Sequence, residues 1–264
     1  GRRPRVAARH GYGTDDMTAV LQAHGLSRHF GALKAIDNVS LALAPDRIHA
    51  VIGTNGAGKS TLIHLLSGEL APTSGWISLH GRDITNWSQP RRAQAGIGRS
   101  YQRNTIFLPL TVRENCRLAA QARAQRPWRI WESAQACKAS QERADDAMER
   151  TGLSALADKP AASLSHGQKR QLEVAMCLAT SPTVLLLDEP LAGMGAEESE
   201  RMLELLRRLR KGHAILLVEH DMDAVFAVAD DITVMVNGSP IATGLPAEVR
   251  NNPDVQEAYL GAAH

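Results

Sequence analysis

The sequence contains few cysteines, and their spacing argues against two common kinds of site. Of its 264 residues, three are cysteine: Cys116, Cys137 and Cys177. Their number is odd and no two of them form a C-x-x-C pair, which argues against a disulfide framework and against a zinc site. We therefore expect free thiols in a protein that works in a reducing compartment.

Long apolar runs and a large net charge are also missing. No stretch approaches the roughly 18 consecutive apolar residues that a membrane-spanning helix needs, so the sequence predicts no span. The formal net charge of +2 predicts no strong field for polyanions. With 44% hydrophobic and 22% charged residues, the chain has the composition of an ordinary globular protein that can bury a large core.

The N-terminal residues differ from the rest of the chain. Several arginines lie there, but no apolar segment follows them as it does in a secretory signal. Hydrophobic periodicity begins only after Met17. We therefore expect residues 1–16 to form a disordered extension and residues 17–264 to form the folded domain. A tail that contacts anionic lipid is the alternative for the extension.

The apolar segments predict an α/β fold. RIHAVIG has the composition of a strand; it runs into a glycine-rich turn, and Lys59–Gly68 is typical of a helix closed by glycine. The runs Val184–Leu187 and Ala214–Val218 are apolar without alternation, which predicts parallel strands covered on both faces.

Other segments predict further elements. NVSLALA alternates as a half-buried strand does, and VNGS at residues 236–239 predicts a hairpin. Leu110 to about Pro160 is rich in Ala, Arg, Gln and Glu and poor in β-branched residues. We expect that long stretch to form a helical subdomain.

A glycine-rich loop predicts a phosphate site. GTNGAGKST fits the pattern G-x-x-x-x-G-K-[ST] at every fixed position, between a predicted strand and a predicted helix. Backbone N–H groups of such a loop point at phosphate oxygens, and the helix N-terminus adds its positive dipole end. Lys59 is expected to reach the β- and γ-phosphates, and Ser60 to ligate Mg²⁺. The predicted nucleotide contacts of this loop are Gly53, Thr54, Asn55, Gly56, Ala57, Gly58, Lys59, Ser60 and Thr61.

Two acidic residues follow a predicted buried strand. Asp188 and Glu189 end the segment LLLDE, at the strand edge where open α/β sheets bind their ligands. Asp188 suits the shell of Mg²⁺, usually through water, and Glu189 suits a general base that polarises the attacking water. An acidic pair that serves only to cap a helix is the alternative. Against it, a second strand ends in VEHD and places His220 where it can meet a γ-phosphate.

A second polar cluster, Ser165 to Gln168, opens a later predicted helix. A serine hydroxyl and exposed N–H groups at a helix start bind anions, yet the loop at residues 53–61 already supplies a phosphate site. A P-loop kinase or GTPase needs one phosphate site. These functions therefore leave the cluster unexplained.

With this cluster the sequence resembles the ABC ATPases. LSHGQ at residues 164–168 is similar to their signature, usually LSGGQ, and it lies shortly before a Walker B strand, as in the family. The resemblance extends from about Val20 over nearly the whole chain. It implies the α/β P-loop NTPase core of that family, with a mixed sheet, an antiparallel β part and an inserted helical subdomain at approximately residues 103–160.

The resemblance also implies roles for single residues. Phe30 stands where the family stacks an aromatic ring on adenine, although a lone Phe before a strand is more often a core residue. Gln102 resembles the glutamine that contacts Mg²⁺ and the attacking water, and His220 resembles the switch histidine. The implied catalytic residues are Lys59, Gln102, Glu189 and His220. The implied metal ligands are Ser60, Gln102 and Asp188. The implied nucleotide contacts outside the loop are Phe30, Gln102, Ser165, His166, Gly167, Gln168 and Asp188.

Family members pack as head-to-tail dimers, which implies a site shared between two subunits. Ser165 and Gly167 of one subunit would contact the γ-phosphate of the ATP bound to the other, so that ATP joins the subunits and hydrolysis separates them. Two positions depart from the family. His166 replaces a glycine, and its ring either points away or adds pH sensitivity. Gly195 stands where many relatives have an aspartate, which leaves the coupling of the two ATP sites through that residue open.

Three segments resemble the ATP-binding subunits of branched-chain or hydrophobic amino-acid importers: HFGALKAIDNVSL, EPLAGMGAEES and PAEVRNNPDVQEAYLG. Urea-importer and lipopolysaccharide-export ATPases are close to this group and remain alternatives. The implied partners are a second ATPase subunit, identical or paralogous, two membrane permease subunits and, indirectly, a solute-binding protein. The implied location is the cytoplasmic face of the bacterial inner membrane, with a permease helix in the groove beside Gln102.

Two other classes of function are less consistent with the sequence. RAQRPWRIW interleaves arginine with Trp128 and Trp131, as proteins that stack on nucleic-acid strands do. ABC ATPases that act on nucleic acid or ribosomes usually have two cassettes or a long coiled-coil insertion, and this chain has neither, so we expect no nucleic-acid partner. A P-loop kinase for a small molecule would leave LSHGQ without a role.

Overall fold

The computed structural model describes residues 19–100, 106–124 and 133–260. Three features singled out in the sequence lie outside these residues: the extension at residues 1–16, the Gln102 position, and the two tryptophans at 128 and 131.

Strands and helices alternate along most of the described chain. The strands are Leu21–Phe30 (β1), Leu33–Leu43 (β2), Ile48–Gly53 (β3), Ser74–Leu79 (β4), Arg82–Asp83 (β5), Ile97–Arg99 (β6), Val184–Asp188 (β7), Ala214–Val218 (β8), Asp231–Val236 (β9) and Ser239–Gly244 (β10). The helices are Lys59–Ser67 (α1), Gln89–Gln94 (α2), Val112–Ala124 (α3), Ser133–Thr151 (α4), His166–Ala179 (α5), Ala196–Leu209 (α6), Met222–Val228 (α7), Pro246–Arg250 (α8) and Pro253–Leu260 (α9).

The larger sheet has six strands in the order β10-β9-β3-β8-β7-β6. All neighbours in it are parallel except β9 and β10, which form the predicted hairpin. Every residue of β3, β7 and β8 is buried, because one hydrophobic cluster packs on each face of the sheet. The prediction of fully covered parallel strands from unbroken apolar runs is therefore confirmed.

The smaller sheet is antiparallel, with the order β2-β1-β4-β5. Its strand β1 was not predicted, and Phe30 ends this strand rather than preceding the first one. The physical reason is an irregular register: pairing with β2 shifts between Ala23 and Leu26, and Gly25 between them has a φ of 58°. Such a bulge breaks the two-residue alternation by which a strand is recognised in sequence.

The helices α3 and α4 occupy the region predicted to be a helical subdomain. They pack against each other and against α5 through small residues that include Cys116, Ala120, Ala144 and Ala147, all fully buried. A bridge between Thr111 and Pro160 joins the two ends of this region. None of the helices in the described ranges is both long and apolar enough to pass through a bilayer.

The predicted free thiols are confirmed where the structure describes them. Cys116 and Cys177 are unpaired and buried, and burial raises the pKa of each thiol to about 12. Such thiols are inert components of the core. The side chain of Cys137 lies outside the described part of the structure.

His49 on β3 makes the fold sensitive to acid. Its Nε2 lies 2.8 Å from Oγ1 of Thr233, and burial lowers the pKa of His49 from 6.5 to about 4, although Asp231 opposes the shift. The unfolded chain therefore binds a proton that the folded chain does not between these pH values. The resulting stability is complete above pH 6.5 and is lost as the pH falls toward 4.

We predict that His49→Gln, which cannot be protonated and keeps a polar partner for Thr233, removes this loss. Between pH 6.5 and 4, the free energy of unfolding of the wild type should fall relative to the variant by up to about 1.4 kcal/mol per pH unit. Urea unfolding across this range measures both proteins. Parallel pH dependences would contradict the prediction.

Candidate active site

The loop between β3 and α1 can be built only with glycine at two positions. A Cβ on Gly53 would lie 2.2 Å from the carbonyl oxygen of Met235, and a Cβ on Gly58 would lie 2.4 Å from that of Ala35. Gly58 also has a φ of 98°, and it directly precedes the first residue of α1. The loop therefore leads straight into a helix N-terminus, as a backbone phosphate site requires.

Lys59 is held inside this loop. Its Nζ donates hydrogen bonds to the carbonyl oxygens of Gly53, at 2.7 Å, and Thr54, at 3.1 Å. Burial lowers the pKa of Lys59, while Glu189 and Asp188 raise it. A buried ammonium group that is partnered by neutral carbonyl oxygens is placed to exchange them for the oxygens of a phosphate.

A groove of about 520 Å³ lies over the loop. Its lining residues are Phe30, Leu33, Lys34, Ala35, Asn55, Gly56, Ala57, Gly58, Lys59, Ser60, Thr61, Glu189 and Asn237. Phe30 is 46% exposed, so it is a groove residue and not a core residue. The guanidinium carbon of Arg28 lies 4.6 Å from the centroid of the Phe30 ring, a cation–π contact that stabilises the ring at the groove.

Asp188 ends β7 as a buried carboxylate. Its backbone N–H donates to Oγ of Ser100 at 3.1 Å, whereas its buried Oδ1 has no hydrogen-bond partner among the described residues. Burial raises the pKa of Asp188 to about 6, against the effects of Arg99 and Lys59. A buried carboxylate oxygen without a protein partner fits the water shell of a magnesium ion. Asp188 is not among the described residues that line the groove, but it acts electrostatically on Lys59, and Ser60 lines the groove beside Lys59.

Glu189 turns the chain out of the sheet. Its φ of 50° is left-handed, a conformation that costs a non-glycine residue on the order of 1 kcal/mol. The turn is fixed by two backbone hydrogen bonds: the N–H of Glu189 donates to the oxygen of Val218 at 2.9 Å, and the N–H of Ala192 donates to that of Glu189 at 3.1 Å. As a result, the Glu189 side chain lines the groove.

His220 follows the end of β8, two residues after Val218. Its side chain is 60% exposed, and its Nδ1 lies 3.8 Å from Oε2 of Glu219, a fully buried carboxylate. His220 is not one of the described residues that line the groove. The structure therefore brings Phe30, the loop and Glu189 together, and leaves His220 outside this lining, in contact with Glu219.

Ser165 caps α5 and contacts an anionic group. Gln168 N–H donates to its Oγ at 3.2 Å, and Ser165 N–H donates to Oε1 of Gln168 at 3.0 Å, so the Gln168 side chain belongs to the helix cap. Ser165 Oγ also donates to Oε1 of Glu198 at 3.2 Å. A Cβ on Gly167 would lie 2.6 Å from that carboxylate. In this structure the start of α5 therefore binds a carboxylate of the same chain, that of Glu198.

His166 does not point away from the protein. Its Nε2 lies 3.0 Å from the carbonyl oxygen of Ala192, and a Cβ on Gly193 would lie 2.8 Å from the same nitrogen. The ring therefore joins the start of α5 to the segment that follows Glu189. Gly195, the other departure from the family, begins α6 without a side-chain cap, and a Cβ there would meet open space.

The two predicted anion sites lie apart within one chain. Ser165, Gly167 and Gln168 line a small cleft with Gln171, Glu198 and Arg201, and this cleft shares no described lining residue with the groove over the loop. The two predicted anion sites are therefore separate clefts in one subunit.

The sequence did not predict several residues of these sites. Asn237 comes to the groove from the turn between β9 and β10, and Ala35 comes from β2. Glu198 comes from α6 to the cleft at Ser165. Only Asn237 carried a local signal, since its hairpin pattern marked a tight turn. Glu219 stood inside the VEHD segment, but a single acidic residue at a strand end does not indicate its partners.

Comparisons with known proteins give matches over most of the chain. A family model described as ABC transporter matches residues 36–192, and one described as Branched-chain amino acid ATP-binding cassette transporter matches residues 239–264. The high-affinity branched-chain amino acid transport ATP-binding protein LivG of Escherichia coli is 39% identical over 251 residues, which are 92% of this chain and 98% of that protein.

Two further matches extend over similar lengths. The corresponding protein BraF of Pseudomonas aeruginosa is 36% identical over 252 residues, covering 92% of this chain and 98% of that protein. The crystal structure of the ADP conformation of an ATP-binding cassette of an ABC transporter superposes with a TM-score of 0.83 at 31% identity, covering 92% of this chain and 99% of that one.

We predict that Phe30→Ala weakens ATP binding about tenfold, because stacking of a base on an aromatic ring contributes about 1–3 kcal/mol. Trp76→Ala is the matched control, since Trp76 is also an exposed aromatic residue of the smaller sheet but lies outside the groove. Calorimetric titration of each variant with ATP measures the effect. Equal losses in the two variants would remove Phe30 from the nucleotide site.

Proposed function

Because the chain belongs to the ABC transporter family, we propose that it hydrolyses ATP as a subunit of a membrane transporter for branched-chain amino acids. The observation that carries the proposal is the presence of two separate anion sites, the groove over the loop and the cleft at Ser165. A nucleotide bound between two copies, or between this chain and a paralogue, uses both.

The proposed dimer places the start of α5 against the γ-phosphate held by the other subunit. Ser165 and Gly167 suit this role because a hydroxyl and helix N–H groups bind an anion without adding a charge of their own. The contact between Ser165 and Glu198 supports it, since a carboxylate oxygen already accepts the hydrogen bond offered there. The phosphate has to displace that carboxylate.

The proposed catalytic roles combine the lining of the groove, which includes Lys59, Ser60 and Glu189, with the sequence motifs. We assign Glu189 as the base that polarises the attacking water, Lys59 as the cation for the β- and γ-phosphates, and His220 as a γ-phosphate contact. Ser60 and Asp188 would hold Mg²⁺, which neutralises phosphate charge when bound. Gln102 remains assigned to the same centre from the sequence alone.

Transport is proposed to depend on membrane partners. The solute would be recognised by two permease subunits and a solute-binding protein, with this subunit on the cytoplasmic face of the bacterial inner membrane. A cavity of about 260 Å³ beside Ser100 is lined by Ala119 and Ala122 of α3 and Met176 of α5. Ser100 precedes Gln102 by two positions in the sequence. We propose this cavity as the contact for a permease helix.

We predict that Glu189→Gln retains ATP affinity but lowers the hydrolysis rate by about 10²-fold or more, because the general base is lost. ATP-bound dimer should then accumulate. Phosphate release and light scattering with and without ATP measure the two effects. Lys59→Ala is the comparison variant, expected to lose ATP binding and hence the dimer. Wild-type turnover in Glu189→Gln would refute the assignment of the base.

The solute is tested in the assembled transporter. We predict that the complex isolated from membranes with this subunit tagged contains permease subunits, and that leucine, isoleucine or valine together with the co-purified binding protein stimulates its ATP turnover in liposomes. Urea and lipopolysaccharide are the matched alternatives. Stimulation by either of them instead would overturn the amino-acid assignment while leaving the ATPase assignment intact.

A further inference from the structure

A buried carboxylate joins the two segments that carry the proposed base and the switch histidine. Glu219, the residue after β8, is fully buried. Its Oε1 accepts a hydrogen bond from the backbone N–H of Leu191 at 2.8 Å, and its Oε2 accepts one from the backbone N–H of His220 at 3.3 Å. One side chain therefore fixes two chain segments that are distant in sequence.

The two hydrogen bonds of Glu219 hold backbone positions close in sequence to both Glu189 and His220. Leu191 lies two residues after Glu189, and the Ala192 N–H to Glu189 oxygen bond makes this stretch a single tight turn. The Nδ1 of His220 lies 3.8 Å from Oε2 of Glu219, which is an electrostatic contact rather than a hydrogen bond. The attraction between this carboxylate and one ring nitrogen favours orientations of the imidazole that leave the other nitrogen available to a ligand.

The carboxylate has little else to compensate for its burial. Among the described residues, His220 is the basic side chain within 4.0 Å of it. Burial raises the pKa of Glu219 to about 7; the Leu191 and His220 contacts lower it, and the nearby Glu189 raises it. An apolar residue at this position would avoid the cost of several kcal/mol for burying a charge, so stability alone does not account for Glu219.

We propose that Glu219 is a positioning residue for ATP hydrolysis, which holds the segment carrying Glu189 and orients the imidazole of His220. The proposal rests on the proposed function, and it resembles the general arrangement in which a third group orients a catalytic pair. Glu219 itself does not line the groove in the described structure, so it acts through its neighbours.

The test is Glu219→Gln in the full-length subunit. The amide keeps the size and one acceptor for Leu191 N–H, but it loses the charge and the second acceptor. The kcat of ATP hydrolysis should fall about tenfold or more, while ATP affinity stays within about twofold because the nucleotide groove is untouched. The midpoint of thermal unfolding should change little, since removal of the buried charge offsets the loss of one hydrogen bond.

Asp231→Asn is the control for exchanging a carboxylate for an amide. Asp231 begins β9, pairs with Arg47 and lies at the opposite end of the parallel strands from Gly53. The kcat of the Asp231→Asn variant should match that of the wild type. A merely structural role for Glu219 would instead lower the midpoint of unfolding in Glu219→Gln and affect affinity and rate together, which would overturn the proposal.

The dependence on His220 is tested by a double-mutant cycle under single-turnover conditions. If Glu219 acts partly through His220, Glu219→Gln should reduce the rate by a smaller factor in a His220→Ala background than in the wild type. Equal factors in both backgrounds, or a kcat within twofold of wild type in the single variant, would overturn the proposal. Loss of hydrolysis in Glu189→Gln establishes the ATPase independently of either result.

Discussion

The parallel pairing of β3, β8 and β7 places the elements of the proposed catalytic centre at one edge of the larger sheet. Val218 is the register partner of both Val51 and Asp188, so these three strands end at the same level. The phosphate loop follows β3, the acidic pair ends β7, and Glu219 and His220 follow β8. No side chain could bring these groups together if the strands ran in opposite directions or if one of them slipped in register.

The segment from Glu189 to Gly195 connects this edge to the start of α5. Glu219 binds the N–H of Leu191 on one side, and His166 contacts the carbonyl oxygen of Ala192 on the other. The His166 ring therefore makes a direct contact between the start of α5 and the turn that carries the proposed base. This contact lies within one subunit and requires no residue from a second one.

Much of the fold was predictable because it depends on local patterns. Unbroken apolar runs identified β7 and β8, and the glycine-lysine-serine pattern identified the loop before α1. The strand β1 was missed because its bulge at Gly25 breaks the alternation, and the exposure of Phe30 follows only from the position of that strand. Glu219 and Glu198 could not be assigned partners from sequence, since their contacts join residues 28 and 33 positions away.

The contact between Ser165 and Glu198 has a consequence for assembly of the proposed dimer. In the single chain, a carboxylate satisfies the hydroxyl at the start of α5, so the signature is not left with an unpaired donor. A γ-phosphate presented by a second subunit offers more oxygen acceptors and more negative charge than this exposed carboxylate. The same charge that lets phosphate compete for Ser165 also repels Glu198, so binding of the nucleotide and departure of the carboxylate favour each other. Dimer formation then depends on a complete triphosphate, because a diphosphate lacks the group that displaces Glu198.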